Sequence, residues 1–321
     1  MEFAFTDEQE QLRREARTFL ADRYPSDRVA ELADSDDGWD AASWAQLAEL
    51  GWIGVSVPEE AGGAGLGFLE EAVLFEELGR ALYPGPYFST VALALPELSA
   101  ELQRDAVDGK TRWSASLDGS LVPDLASVDR VLVVRGGDLV AVQAEGQTLE
   151  TMDSTRRLGR LADGGAGDTV GDASALDRMR TRAFAALALE SVGLAQRALE
   201  LTVEYAKTRE QFGKPIGIYQ AVSHRLADSY ALTELARSLA YWSAWCVAED
   251  DDEAPVAAAA AKAYAGDVAV TVCEYAIQAH GGIGFTWEHP LHRYYKRAQW
   301  NQGYGGYPAA QRAEIATAIL S

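Results

Sequence analysis

Two cysteines in 321 residues, Cys246 and Cys273, leave little room for cysteine chemistry. They have neither metal-ligand nor redox spacing. Both sit in Ala-rich helical sequence, where a small buried hydrophobe is the simpler reading. A disulfide framework is not expected, and a cytoplasmic setting is. Basic charge is scarce as well: 28 Lys and Arg stand against 49 Asp and Glu, a net charge of −21. A phosphate backbone would be repelled at long range, so nucleic acid is an unsuitable partner. Uninterrupted apolar runs of bilayer length are not evident, and the N-terminus MEFAFTDEQEQLRREAR is charged rather than basic-then-apolar. Neither a transmembrane helix nor a signal peptide is expected.

What is present is ample core material. Hydrophobic residues make up 48% of the chain, with eight Trp and thirteen Tyr, and 34.6 kDa exceeds the usual single-core size. Two domains, or two and a small insert, follow from length alone.

Thr6 reads as an N-cap followed by Asp7 and Glu8, with Phe3, Phe5, Leu12, Ala16, Phe19 and Leu20 at helical spacing. A second helix is expected from about Ala41 through Trp44, Leu47 and Leu50, with Gly51 as its stop, and a third from Phe68 to Leu82. Residues 1–109 therefore form a helical region. From Thr111 the pattern changes to short β-branched runs, TRWSASLDG, RVLVVRGGDLVAVQA and QTLETMD, separated by turn sequences. The Gly/Asp-rich tail LADGGAGDTVGDAS reads as a loop or linker closing a small β region over 110–177. Helical spacing returns at Arg178 and lasts to 321, with breaks at GKPIG, at the acidic EDDDEAP and at HGGIGF, which suggests an antiparallel four-helix bundle. The run Glu249–Glu253 is read as a solvated interhelical loop.

Two segments carry chemistry. YAKTREQFGKPIG places Arg209 in the last turn of a helix with Gly213 and Pro215 as stop signals, so its guanidinium can project past the helix end towards a diphosphate, and Phe212 can pack on a planar ring. The plain alternative is a helix-end Arg paired with carbonyls or a nearby acid. QAHGGIGF supplies Gln278, Gly281, Gly282 and Gly284, glycines that let a ligand approach the backbone and an amide that both donates and accepts. A Gly-rich turn joining two helices reads equally well as mere connection. His280, His289 and His292 lack acidic or Cys partners at ligand spacing, so no metal is expected. Trp300, Tyr304 and Tyr307 read as packing residues.

These two segments, extended to 193–228 and 278–298, together with WAQLAELGWIGVSVPEEAGGAGLGFLEEAVLFEELGRAL near the N-terminus, resemble the acyl-CoA dehydrogenase family. The resemblance implies a mainly α fold with an N-terminal helical domain, a β middle domain and a C-terminal bundle. It implies α,β-dehydrogenation of an acyl-CoA thioester and an FAD shared between subunits. Residues implied at that cofactor are Arg209, Gln211, Phe212, Ile216, Tyr219, Gln278, Gly281 and Gly282. The family also implies a carboxylate base, and here the sequence departs: Gly305 stands at the usual base position, and Ala183, twenty-six residues before Arg209, at the alternative one. Glu190 lies two helical turns beyond Ala183 on the same face and is the remaining candidate base; a pairing with Arg197 or with a partner chain is its structural alternative. The β region is shorter than the family's and lacks its flavin-ring stretch. The chain is thus similar to the short subunit of two-gene enzymes, which pair with a longer catalytic subunit as α2β2. A non-catalytic assembly or regulatory protein, and a self-sufficient homo-oligomer using Glu190, are the competing readings.

Overall fold

The computed structural model describes residues 4–320, so Phe3 lies outside the described residues. Helix α1 (Asp7–Arg23) opens with a capping box, Thr6 accepting from the Gln9 N–H while the Gln9 side chain accepts from Thr6 N–H. It is followed by α2 (Ser26–Asp34), α3 (Ala41–Glu49), α4 (Phe68–Arg80) and α5 (Ala100–Val107), with a π-helical turn at Phe88–Ala94. The short helices α2 and α5 and the π turn were not expected from the sequence. Each is flanked by Pro or Ser and is too short to show a period by itself.

The β region holds seven strands, β1 (Trp113–Ala115), β2 (Leu121–Pro123), β3 (Arg130–Arg135), β4 (Asp138–Gln143), β5 (Gly146–Leu149), β6 (Leu158–Leu161) and β7 (Gly167–Asp172). One sheet has the order β1-β3-β4-β7, parallel only between β1 and β3; the other is the antiparallel β2-β6-β5. Val122, Val131, Val133 and Leu161 form a small core of their own. The Gly/Asp-rich tail is not the expected loop. Its GDTVGD segment is β7, an edge strand hydrogen-bonded to β4, where the exposed edge of β4 supplies the pairing that local propensity does not.

The C-terminal half is α6 (Ala175–Thr208), α7 (Gln220–Ala248), α8 (Ala254–His280), α9 (Leu291–Gly303) and α10 (Pro308–Leu320). Three long helices are thus completed by two short ones, where the sequence suggested four. The GKPIG break is a two-stranded hairpin, β8 (Glu210–Gln211) and β9 (Lys214–Pro215). Helix α8 with the turn after it, Ala254–Phe285, is long and apolar enough, by length and composition, to cross a bilayer, but Lys262, Asp267 and Glu274 interrupt it and 72% of its most apolar window is buried inside the protein. It is the bundle's central helix, Ala-rich so that α6, α7 and α9 can approach it, and both cysteines are buried.

The bundle is joined to the N-terminal helices where α4 crosses α6. A Cβ on Gly79 would lie 2.2 Å from the Glu190 carbonyl oxygen, and one on Gly193 2.0 Å from that of Glu76. Only glycine permits so close an approach.

Candidate functional site

Helices α6 and α8 run parallel and end side by side, with Tyr205 stacked on His280 at 4.2 Å between ring centroids. The start of α7 joins them, since the Tyr275 hydroxyl donates to the Val222 carbonyl at 3.1 Å. This one end of the bundle therefore gathers the β8–β9 hairpin, Gln278 and the Gly281–Phe285 turn. Arg209 is the residue after α6 rather than part of its last turn, in extended conformation with ψ 123°. It is exposed, and among the described residues its side chain makes no hydrogen bond, ion pair or ring contact. The helix-end pairing weighed for Arg209 is absent. Gln278 is likewise exposed with an unused amide.

Phe212 and Gly213 form the two-residue turn of the hairpin with φ 53° and 73°, the left-handed pair that such a turn requires. Glycine suits that region and phenylalanine does not. Yet Phe212 is 92% exposed, its ring meeting only the edge of Tyr219 at 6.4 Å. Tyr219 in turn donates to the Gln211 carbonyl at 3.0 Å, which fixes the hairpin on the start of α7, while Gln211 uses its amide on the neighbouring Glu210 carbonyl. Ile216 is half-buried beneath the hairpin. Gly281 has φ 64°, and among the described residues nothing beyond their chain neighbours comes within 4 Å of a Cβ built on Gly281 or Gly282. Their backbone is open to an approaching ligand, whereas Gly284 is buried against Ile277. Phe285 and Trp287 add exposed aromatic surface to the same end.

Glu190 is elsewhere and differently used. It lies mid-way along α6, 2% exposed, with Oε2 accepting from Arg156 Nη1 at 2.5 Å and Oε1 from Arg297 Nη1 at 2.6 Å. Arg297 Nε donates to Asp153 at 2.6 Å and its Nη2 to Thr155 at 2.6 Å. Arg156 lies over the rings of Phe88 and Trp300, at 4.8 and 5.1 Å. Burial alone would raise the Glu190 pKa, but Arg156 and Arg297 more than offset it and hold the carboxyl below its usual range. Arg197, the partner suggested by sequence, pairs with Glu200 instead. Close by, Asp124 is buried with φ 54° and accepts from the Ser89 hydroxyl at 2.7 Å; burial pushes its pKa up to about 6.

Gly305 belongs to a turn after α9, with φ 69°, and a Cβ there would lie 2.7 Å from Phe184 Cε1. The turn is pinned from below: the buried Lys262 Nζ donates to the carbonyls of Gln302 and Gly306, at 3.0 and 2.8 Å, and Gln311 also donates to Gly306 at 2.8 Å. Ala183 is fully buried. Trp300 and Tyr304 stack at 4.7 Å and 9°, so they do pack, but they also line a cavity of about 500 Å³ beside Gly305, and Tyr307 lies exposed at its edge.

Comparison with known proteins decides what this arrangement belongs to. Residues 6–103 match the N-terminal domain of acyl-CoA dehydrogenases and residues 174–320 their C-terminal domain. The chain belongs to the acyl-CoA dehydrogenase family. Acyl-CoA dehydrogenase IpdE2 of Mycobacterium tuberculosis is 36% identical over 301 residues, 91% of each chain, and IpdE2 of Mycolicibacterium smegmatis is 34% identical over 98% of this chain and 99% of its own. Among solved structures, the steroid ACAD Tcur3481–Tcur3483 in a G363A variant superposes with a TM-score of 0.91 at 31% identity over 98% of both chains. The ChsE4–ChsE5 complex of M. tuberculosis superposes at 0.92, with 27% identity over 100% of this chain and 99% of that one.

As a family member the chain is an oxidoreductase of acyl-CoA thioesters, and its residues divide. The outward edge keeps capacity for a polar ligand, because Arg209 and Gln278 hold donors that nothing among the described residues uses. The base position does not suit a carboxylate, because a side chain at Gly305 meets both a left-handed backbone and Phe184. The surroundings of Glu190 do not suit a base: it is buried, and both oxygens are paired with guanidinium groups. Sequence reasoning missed Asp153, Arg156 and Arg297, whose partners lie 34 to 144 residues away along the chain and leave no local signal.

Proposed function

We propose that this chain is the short subunit of a two-chain, flavin-dependent acyl-CoA dehydrogenase, assembled as α2β2 with a longer relative that supplies the base and seats the flavin ring. The observation that carries this is Phe212, a bulky residue held at positive φ and left 92% exposed beside an unpartnered Arg209. Such strain, of order 1–3 kcal/mol, is tolerated where something outside the chain uses it. Arg209 would take the FAD diphosphate through its fork of donors, Phe212 would pack against the cofactor or the partner, and Gln278 with the open backbone of Gly281 and Gly282 would meet its adenine half. Gln211, Ile216 and Tyr219 hold the hairpin that presents them. FAD, when bound, supplies the acceptor for the hydride leaving the β-carbon while a carboxylate of the longer chain takes the α-proton. The resemblance to complexes of two different chains, one named as a steroid enzyme, supports a heteromer acting on a bulky acyl-CoA.

Co-expression with the longer relative and measurement of bound flavin test this reading. The lone chain is expected to purify colourless and the complex yellow, with half the flavin of a homotetramer. Arg209→Ala should weaken flavin retention in the complex by about 1.5–3 kcal/mol, the worth of a charge-assisted contact, without shifting the melting of the lone chain. A stoichiometric flavin spectrum from the lone chain, or full retention in Arg209→Ala, would overturn it.

A further inference from the structure

The seam between the N-terminal helices and the bundle holds a cavity of about 550 Å³, within the range of small-molecule sites, with walls from α1, α4, α6 and the start of α9. It is neither the proposed flavin edge nor the cavity beside Gly305. Arg197 in its wall stands twelve residues before Arg209, roughly 18 Å along α6, and seventeen after Arg180, roughly 26 Å from the wall of the other cavity. Arginine dominates the polar lining. Arg17, Arg80 and Arg197 all line it with side chains between 19% and 48% exposed, so a solute can reach them. Leu20, Pro25, Tyr24 and Tyr294 supply the apolar part.

The carboxylates at the seam do not match these cations. Arg17 donates through Nε and Nη2 to Glu77 at 3.0 and 2.6 Å, which leaves its Nη1 without a hydrogen bond among the described residues. Arg80 Nη1 donates to Glu200 at 2.6 Å, and Arg197 Nη1 reaches the same carboxylate only at 3.3 Å. One anion thus serves two guanidiniums. Glu204 stands 4.0 Å from Arg197 and is well exposed, so it adds little. A constriction that shares Tyr24, Ser26, Ala81 and Tyr294 with the cavity is lined by Arg293, which is 8% exposed. Its guanidinium lies 5.9 Å from the Trp287 ring and makes no hydrogen bond or ion pair among the described residues. Buried charge without a counter-charge is costly, and here four cations face two close anions in a chain whose net charge is −21.

We propose that the seam cavity is a second ligand site, for a small phosphate monoester whose phosphate is held by Arg17 and Arg197 in the field of Arg80 and Arg293, while its body lies against Tyr24, Pro25 and Tyr294. A single carboxylate would balance half of the excess charge. A phosphate monoester carries about −1.5 to −2 near neutral pH and offers three oxygens to guanidinium forks, so it balances the whole. Polyanions are turned away at long range by the acidic chain, which favours a small ligand. The occupant would tie α1 and α4 to α6 and α9, so the site binds and braces and takes no part in bond making.

The test compares three probes on the full chain, alone and in its complex: 1-naphthyl phosphate, 1-naphthoate, which carries a single charge, and inorganic phosphate, which lacks the body. Equilibrium dialysis and the melting temperature report binding. Naphthyl phosphate should bind saturably and most tightly of the three, should raise the melting temperature, and should weaken as salt is added. Arg197→Gln should lower its affinity by about 10–100-fold, the worth of a charge-assisted hydrogen bond, and Arg197→Lys by less. Ala21→Glu, which adds an acid at an exposed position of the wall, should weaken it as well, whereas Arg209→Ala should leave it unchanged. Tightest binding of naphthoate or of inorganic phosphate, an unaltered affinity in either folded wall variant, loss of binding in Arg209→Ala, or no saturable binding to a chain with native near-ultraviolet circular dichroism would each overturn the proposal. Binding to the lone chain that vanishes in the complex would overturn it too, since the cavity would then be partner surface. Because none of these readouts measures flavin or turnover, they can fail while the heteromeric enzyme stands, and the reverse.

Discussion

Replacing Glu190 by Gln separates a buried structural charge from a catalytic base. The carboxylate joins two guanidiniums at 2.5 and 2.6 Å, and Asp153 is the other anion within the buried cluster. The amide side chain would leave Arg156 and Arg297 with one full negative charge between them and would turn its own N–H₂ towards a cation. Breaking a buried pair in this way costs roughly 3–5 kcal/mol, because the remaining charge stays desolvated. At roughly 2–4 °C per kcal/mol for a large domain, the melting temperature should fall by about 6–20 °C. Calorimetry of Glu190→Gln against wild type at neutral pH measures this. Since the folded pKa is depressed, the carboxylate's contribution is fully present above its unfolded value near 4.3 and is lost as pH falls through the folded one, so the two melting curves should converge in acid. A base would behave in the opposite way: normal melting, normal flavin and ester binding, and a turnover loss of roughly 10²–10⁴. That outcome would refute the structural role and restore Glu190 as the catalytic carboxylate.

Two further substitutions probe the turn after α9. Gly305→Glu should lower stability by roughly 1–3 kcal/mol or more, from positive φ and the contact with Phe184, and should confer no dehydrogenation on the lone chain; a stable variant that reduces an electron acceptor would show that the turn accepts a base after all. Burial first, and Arg180 after it, push the Lys262 pKa down to about 7, so between about 7 and about 10.4 the unfolded chain binds a proton that the folded chain does not, and wild-type stability should rise with pH there by up to about 1.4 kcal/mol per unit relative to Lys262→Met. Parallel urea-unfolding profiles for the two proteins across pH 7–10 would contradict this.

The parts of the fold legible in the sequence were those whose signals are local. Thr6 and Gln9 cap α1 through contacts three residues apart, and Gly136 and Gly137, both at positive φ, close the β3–β4 hairpin inside the run RVLVVRGGDLVAVQA. Strand β7 was hidden because its Gly and Asp residues have loop propensity and gain strand geometry only from the free edge of β4. The candidate site divides along the same line. The hairpin with Arg209 and Phe212, and the glycines after Gln278, lie within short contiguous motifs, but their meeting at one end depends on Tyr205 stacking on His280, which no spacing reveals. The environment of Glu190 was illegible for the same reason, since Asp153, Arg156 and Arg297 reach it from a loop and from α9.

The two arginine settings in this chain explain one another. Arg156 and Arg297 are buried with their charges matched to Glu190 and Asp153, so they hold the N-terminal, β and C-terminal parts together and are unavailable to a cofactor. Arg209 and Phe212 are exposed, strained or unpartnered, and contribute nothing visible to the lone fold. Stability has therefore been placed inside and interaction capacity outside. The turn at Gly305 supports the same division. Its backbone is left-handed, Phe184 occupies the space of a side chain, and Lys262 and Gln311 hold the carbonyls on either side, so the missing carboxylate is part of a rebuilt turn and not a single substitution in an otherwise intact site. A chain built in this way fits the proposed role, in which it serves a flavin at its edge and the proton is taken by another.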